Sequence, residues 1–211
     1  ANCYGLAVDN DGNNLFISVN NGTSSKLRVY PLNASGLPGT TYSDANWSDT
    51  SGTSPAGLAV TSDGLRVYMA DAGTGKLRYF EYDTNTSSWV HKGSQTVAAG
   101  IYGVAVSDGP ANGTHKVIIS RKILAGSVYI YNVSAGFVSG SPANTINSLQ
   151  YPTYMKVFGT RLYISVNGDN GKDIAVYTTS GSLVGNVTNG DISGAYGWTG
   201  FDLTRNGDYL F

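Results

Sequence analysis

The sequence predicts an all-β protein, a β-propeller built from four-stranded antiparallel blades of about 49 residues each. Three observations lead there. One alternating pattern returns five times along the chain, each full return is followed by further alternating runs, and no window of ten or more residues carries apolar side chains at helical spacing. The heavy use of Gly (28) and Tyr (15), against only 2 Met, suits tight turns and pleated strands better than helices.

The recurring pattern reads "GLAVDNDGNNLFISV" from Gly5, "GLAVTSDGLRVYMA" from Gly57, "GVAVSDGPANGTHKVIIS" from Gly103, "YMKVFGTRLYIS" from Tyr154 and "GFDLTRNGDYLF" from Gly200. It contains the first two strands of a blade. A third run follows in each full copy, as "KLRVYPL" (26–32), "KLRYFEY" (76–82), "SVYIYNV" (127–133) and "DIAVYTT" (173–179), rich in β-branched and aromatic residues. Weaker fourth runs include "SSWVHKG" (87–93) and "GSLVGNVT" (181–188). The expected blades are 5–56, 57–102, 103–153 and 154–199, with the first two strands of a fifth over 200–211, all in a single domain or fragment.

Alternation also marks the core. Leu6, Val8, Leu58, Val60, Val104 and Val106 share one phase of the innermost strand, and Phe16, Tyr68, Ile118 and Tyr163 hold matching places in the second. These faces are expected to interdigitate between blades, since a lone blade cannot bury its own apolar surface. The fifth copy stops after two strands and the first begins at an innermost strand, so an open edge is expected. Continuation past Phe211, coverage by another subunit and an incomplete sequence are the three readings of it.

The unit "GLAVTSDGLRVYMADAGTGKLRYFEYD" (57–83) resembles the blades of the NHL and YVTN repeat propellers and of the lactonase-type propellers. Its likeness covers about the first half of each blade and implies architecture rather than activity. For a lactonase, the resemblance implies charged residues, or a metal held by acidic and Asn side chains, at the central channel. The segments entering the first strands, "SPAG" (54–57), "GIYG" (100–103), "YPTY" (151–154) and "GWTG" (197–200), hold no acid and no His.

Other chemistry is sparse. Glu81 is the only glutamate, on a third strand where an outward charge is expected, and the Asp residues fall mostly in turns. No Gly-x-Ser-x-Gly elbow occurs. His91 and His115 are expected to be solvated, and two separated His with one Cys have no zinc-ligand spacing. No cofactor, catalytic residue or metal site is expected. The run Asp9-Asn10-Asp11-Gly12-Asn13 looks like the opening of a calcium loop, but the twelfth position is Asn20 rather than Glu. Other copies keep only "SDG" or "NG", so the run is read as a hairpin corner.

Aromatic residues are better placed than charged ones. Tyr4, Tyr102, Tyr151, Tyr154, Tyr196 and Trp198 stand just before or at the start of an innermost strand, around one mouth of a propeller channel. They form the candidate binding surface, able to stack on sugar rings or a partner's side chains. Packing between blades is the competing reading.

Charged residues make up 13% of the chain and the net charge is −1, so no nucleic-acid partner is expected, and no apolar run of membrane-spanning length occurs, so no membrane insertion. The start "ANCYG" shows neither an initiator Met nor a signal-peptide pattern and reads as a mature chain or excised fragment. Sequons at Asn21, Asn33, Asn46, Asn85, Asn112, Asn132 and Asn186 exceed the roughly three or four that composition predicts. They point to an N-glycosylated protein outside the cell or on its surface. Cys3 has no partner within the sequence and is open to an intermolecular disulfide or a free-thiol state.

Together these features lead to an extracellular structural or interaction module of a surface or fibre-like assembly, more binder than enzyme. Its expected partner is a protein, or a second copy, at the exposed strand edge, with glycans as a further ligand. The alternatives are a carbohydrate-binding module using the aromatic mouth and a lactonase-like hydrolase.

Overall fold

The computed structural model describes residues 2–20, 25–47, 53–108, 114–134, 137–169, 172–187 and 201–202. Sixteen strands and no helix occur among them, arranged as four four-stranded antiparallel blades of propeller type. Blade 1 runs β1 (Asn2–Val8), β2 (Asn14–Asn20), β3 (Ser25–Pro31) and β4 (Ser43–Asn46); blade 2 runs β5 (Pro55–Val60), β6 (Arg66–Asp71), β7 (Lys76–Asp83) and β8 (Ser88–Thr96). Blade 3 comprises β9 (Ile101–Asp108), β10 (Thr114–Arg121), β11 (Gly126–Ser134) and β12 (Asn144–Leu149), and blade 4 comprises β13 (Met155–Phe158), β14 (Arg161–Asp169), β15 (Lys172–Thr178) and β16 (Leu183–Val187). Strands neighbouring in sequence are neighbours in every sheet, the order that short hairpins impose. The chain divides into two compact units, Ala1–Ile101 with blades 1 and 2 and Tyr102–Phe211 with blades 3 and 4.

A partial fifth blade over 200–211 finds no support. The sheets among the described residues number four, and of that stretch only Phe201 and Asp202 are described, neither in a strand. Phe201 is buried against Ile174 and Val176 and meets the Tyr154 ring edge-on at 5.2 Å, so its side chain completes the core of blade 4 without strand pairing.

The "DNDGNN" run turns a corner. Asp9 Oδ1 accepts from the Asn13 and Asn14 amides (2.7 and 3.1 Å), Oδ2 accepts from Asn14 Nδ2 (2.8 Å), and Gly12 takes the left-handed φ of +70°. In blade 2 the same corner is made by Thr61 and Gly64, whose φ is +67°.

In the first unit, Phe16, Leu27, Val29, Ala45 and Trp47 of blade 1 pack against Leu58, Val67, Met69, Phe80 and Trp89 of blade 2. Phe16 meets Trp89 edge-on at 5.0 Å and Trp47 meets Phe80 at 5.7 Å. A fully buried ion pair adjoins this layer. Arg78 Nη2 donates to Asp71 Oδ2 at 2.6 Å, and the guanidinium lies 4.6 Å from the Trp47 ring centre. In the second unit, Ala105, Ile118, Val128, Ile130, Ile146 and Leu149 of blade 3 pack on Met155, Leu162, Ile164, Val166 and Ala175 of blade 4.

Both units use one device to hold neighbouring blades together. Ser18 Oγ donates to the Ala56 carbonyl (3.0 Å), and Ser120 Oγ accepts from the Gly103 amide (2.8 Å) while donating to the Thr153 carbonyl (2.9 Å). Gly5 and Gly103 sit where that carbonyl approaches so closely that a Cβ would overlap it. The Gly that opens the sequence repeat is therefore a packing requirement, and the Ser at the end of the second strand satisfies a buried carbonyl.

The expected core holds with one correction. Phe16, Tyr68, Ile118, Leu58 and Val104 are buried and Tyr163, Val60 and Val106 are partly buried, but Leu6 and Val8 are exposed. The registers explain the difference. Leu6 pairs with Ile17, whereas Phe16 pairs with Ala7, so Leu6 and Phe16 lie on opposite faces of blade 1 and only the Phe16 face meets blade 2.

On that open face, Asp44 accepts from Lys26 Nζ (2.8 Å) and from Arg28 Nε and Nη2 (2.8 and 3.0 Å). Burial alone would raise the Asp44 carboxyl, but the hydrogen bonds from Arg28 and Lys26 outweigh it and hold it below its ordinary 3.8. A carboxylate depressed in the folded state adds stability above its unfolded pKa and loses it as the pH falls through the folded one. The stability difference between wild type and Asp44→Asn, measured by urea unfolding, is therefore expected to be full above pH 3.8 and to shrink below it. A difference independent of pH would show that the pair does not act through charge.

Candidate functional site

Of the six aromatic residues singled out in the sequence, Tyr102, Tyr151 and Tyr154 belong to the second unit and Tyr4 to the first, while Tyr196 and Trp198 lie outside the described residues. Tyr102 is the second residue of β9, just before Gly103, which approaches the Thr153 carbonyl; Tyr151 and Tyr154 stand on either side of that same carbonyl in the β12–β13 connection. All three are more than a third exposed. Tyr4 is exposed on β1 and accepts only a long contact, 3.4 Å, from Asn2 Nδ2.

The turn between β10 and β11 joins this seam. The Tyr151 amide donates to the Ile123 carbonyl at 3.0 Å, and the Lys122 ammonium lies 4.4 Å from the centre of the Tyr102 ring. Gly126 lets the turn close, because a Cβ there would overlap the Arg121 carbonyl and meet Pro152 Cδ at 2.6 Å. Leu124, at the tip of the turn, is 62% exposed.

Backbone strain concentrates here. Among the described residues four non-glycine residues have positive φ, and three of them stand in or beside these connections of blade 3: Ala125 (56°) in the β10–β11 turn, Ser148 (62°) near the end of β12 and Tyr151 (44°) just after it. A left-handed conformation costs a residue with a Cβ about 1 kcal/mol or more and persists where the surroundings over-determine it. Tyr151 is thereby held with its ring at the rim. Tyr102 offers a flat face and a phenolic tip beside the Lys122 ammonium, a combination that can stack on a sugar ring and polarise a carbonyl oxygen or hold an anionic group. Burial pushes the Tyr154 phenol above its ordinary value, so it stays a neutral donor near pH 7.

Lys122, Leu124 and the strained Ser148 are the residues that sequence reasoning missed. A signal was present: other blades join their second and third strands with "NNGTSS", "AGTG" or "GDNG", whereas blade 3 places "RKILAG" there.

The histidines depart from expectation. His115 is buried on β10, and His91 packs between the rings of Phe80 (5.3 Å) and Trp47 (6.2 Å), because both stand in strands whose faces are covered. Glu81 reaches Arg66 at 3.6 Å. Among the described residues, no group of three or more His, Cys, Asp or Glu could hold a metal ion, and no helix is long and apolar enough to cross a membrane. Asn33, Asn46, Asn85, Asn132 and Asn186 are exposed, as is Cys3; Asn21 and Asn112 lie outside the described residues.

No family model and no curated protein matches the chain. Solved structures do. A Lactobacillus plantarum protein is similar with a TM-score of 0.68 and 19% identity, over 99% of this chain and 63% of its own. A Bacteroides uniformis protein named for 6-phosphogluconolactonase is similar at 0.65 and 17%, over 97% and 61%. The periplasmic gluconolactonase of Pseudomonas aeruginosa is similar at 0.65 and 14%, over 98% and 61%. The chain thus spans about three-fifths of the length of each.

The shared fold is that of lactonase-like propellers; no match carries the finer assignment to NHL or YVTN repeats. These likenesses correct the expectation of an extracellular structural module that leans away from catalysis. Several of the similar structures, those from Bacteroides and Pseudomonas aeruginosa, carry lactonase names, and nothing found points to a filament or a secreted glycoprotein. The expectation of an assembly module rested on the sequons, the low charge and an expected open strand edge, while the cationic turn of blade 3 went unweighed.

Proposed function

We propose that the chain belongs to a sugar-lactone hydrolase, acting at the rim formed by Tyr102, Lys122, Tyr151 and Tyr154. The observation that carries this reading is the strained, exposed Tyr151 tied to the turn whose Lys122 ammonium stands over Tyr102. The fold shared with proteins named as gluconolactonases supports the reaction class. In such a reaction water adds to the lactone carbonyl, the bond to the ring oxygen breaks, and a hydroxy acid leaves as carboxylate and proton. The tyrosine faces would hold the ring, and the Lys122 ammonium would stabilise the negative charge that develops on the carbonyl oxygen, a contribution of about 2.7–4 kcal/mol for a well-placed donor.

Tyr151→Gly separates binding from packing. Glycine adopts a φ of 44° without strain, so the variant is expected to keep the wild-type melting temperature. It should lose at least tenfold in affinity for glucono-δ-lactone and gluconate, measured by ligand-observed NMR. Equal affinity in both proteins would remove Tyr151 from the site.

The aromatic rim also favours carbohydrate binding without turnover, which predicts saturable gluconate binding by a protein that leaves the lactone's hydrolysis rate unchanged. Export and N-glycosylation remain proposals resting on the exposed Asn33, Asn46, Asn85, Asn132 and Asn186. An intact mass that drops on enzymatic deglycosylation of the protein from its source would support them, and an unchanged mass would count against them.

A further inference from the structure

We propose that Lys122, seated on the Tyr102 ring, is a carboxylate-binding group, and that through it the hydroxy acid product holds the site against fresh lactone. The restraint by product rests on the hydrolase reading above, whereas the binding of a carboxylate stands on the geometry of this pair alone.

Cations held over rings elsewhere in the protein show what this pair lacks. Arg28 lies over the Tyr42 ring, 3.7 Å from its centre, and also meets Asp44 at 2.8 Å. Arg78 lies over Trp47 at 4.6 Å and also meets Asp71 at 2.6 Å. In both, an aromatic face covers one side of the cation and a carboxylate neutralises it. Lys122 lies over Tyr102 at 4.4 Å, and among the described residues it takes neither a carboxylate nor a hydrogen-bond acceptor. A carboxylate brought by a ligand completes here what Asp44 and Asp71 complete in the other two.

The ammonium is presented from a fixed place. On one side of Lys122 the Ile123 amide donates to the Arg121 carbonyl at 2.9 Å, and the Ile123 carbonyl accepts from the Tyr151 amide at 3.0 Å. The turn then returns through Ala125, at a φ of 56°, into Gly126, where a Cβ would overlap backbone. A backbone already ordered leaves less freedom to lose when an anion binds. Lys122, Tyr102 and Tyr151 all belong to the second unit, so the pair is complete within it.

The chemistry of the reaction makes the product its natural ligand. A sugar lactone is neutral. When water has added and the bond to the ring oxygen has broken, the former carbonyl carbon is a carboxylate and its proton has gone to solvent. The oxygen that carries partial negative charge in the transition state shares a full one in the product. A cation aimed at the first therefore attracts the second more strongly than it attracts the uncharged lactone.

The test compares the binding of gluconate and of glucono-δ-lactam, an uncharged ring that does not hydrolyse, by titration calorimetry. In low salt gluconate is expected to bind about threefold more tightly, the scale of an exposed ion pair. The preference should vanish at about 0.5 M NaCl, where exposed charges are screened. Lys122→Gln should erase it by weakening gluconate while leaving the lactam within twofold, and Lys122→Arg should keep it. In initial-rate assays gluconate should inhibit lactone hydrolysis competitively, with an inhibition constant below KM.

The proposal is overturned if gluconate fails to bind, if it binds no better than the lactam, or if Lys122→Gln leaves its preference intact. An inhibition constant above KM would overturn the restraint by product. A protein that keeps the Lys122-dependent preference yet does not turn over the lactone would sink the hydrolase reading and leave the carboxylate-binding group standing. Turnover without that preference would do the reverse.

Discussion

Arg78→Ala is expected to lower the unfolding free energy by about 3–5 kcal/mol, the range for removing one partner of a buried ion pair. Neither Arg78 nor Asp71 is exposed to solvent at its side chain. Asp71 also accepts from the Ser54 amide (2.8 Å) and from Thr74 Oγ1 (2.7 Å), so the carboxylate anchors three segments of blade 2 and its approaches at once. Without the guanidinium it would hold a buried charge with only neutral donors, and Trp47 would lose the cation against its ring. Replacing both partners, as Asp71→Asn with Arg78→Met, should restore much of the loss, because the uncompensated charge is the main cost. The informative control is Arg28→Ala. Arg28 holds the same register position in blade 1 and pairs with Asp44, yet at 21% side-chain exposure its removal is expected to cost about 1 kcal/mol or less. Equal losses for the two arginines, read from denaturant unfolding, would contradict the difference in burial.

Gly103→Ala should be the other large loss, about 3 kcal/mol, from overpacking against an immovable group. The added methyl would overlap the Thr153 carbonyl and come within 2.8 Å of Ser120 Oγ, which itself bridges the Gly103 amide and that carbonyl. Backbone cannot swing aside as a flexible side chain does, so blades 3 and 4 would have to separate locally. Gly185→Ala is the control, with nothing within 4 Å of the new methyl and an expected change within about 0.5 kcal/mol. Because Gly103 adjoins Tyr102 and Thr153, its substitution should also weaken ligand binding at the rim, whereas Gly185→Ala should not.

The blades were legible because alternation and turn chemistry are local. "SVYIYNV" announced β11 (Gly126–Ser134) and "KLRYFEY" announced β7 (Lys76–Asp83) to within a residue or two. Which blade faces are covered was not legible, because that depends on neighbours far along the chain. "KLR" occurs at 26–28 and at 76–78, and only the second copy buries its Arg. Leu6 and Leu58 likewise share a sequence environment and differ in what lies over them.

The candidate site divides in the same way. Tyr102, Tyr151 and Tyr154 were visible as aromatic residues beside first strands, and their gathering around the Thr153 carbonyl follows from the repeat. Lys122 could be noticed only by comparing turns across blades. The left-handed backbone of Tyr151 and Ser148 has no sequence signal, since both residues usually avoid it.

The most direct test of the account is the hydrolysis of glucono-δ-lactone and of its 6-phosphate, followed by proton release in weakly buffered solution at pH 6.5, where the uncatalysed rate is subtracted. The account predicts saturable acceleration by the complete gene product, reduced at least 100-fold by Lys122→Ala, in line with loss of one oxyanion-stabilising donor, with the fold retained. A folded protein that leaves both lactones at their uncatalysed rate, or a Lys122→Ala variant as active as wild type, would contradict it.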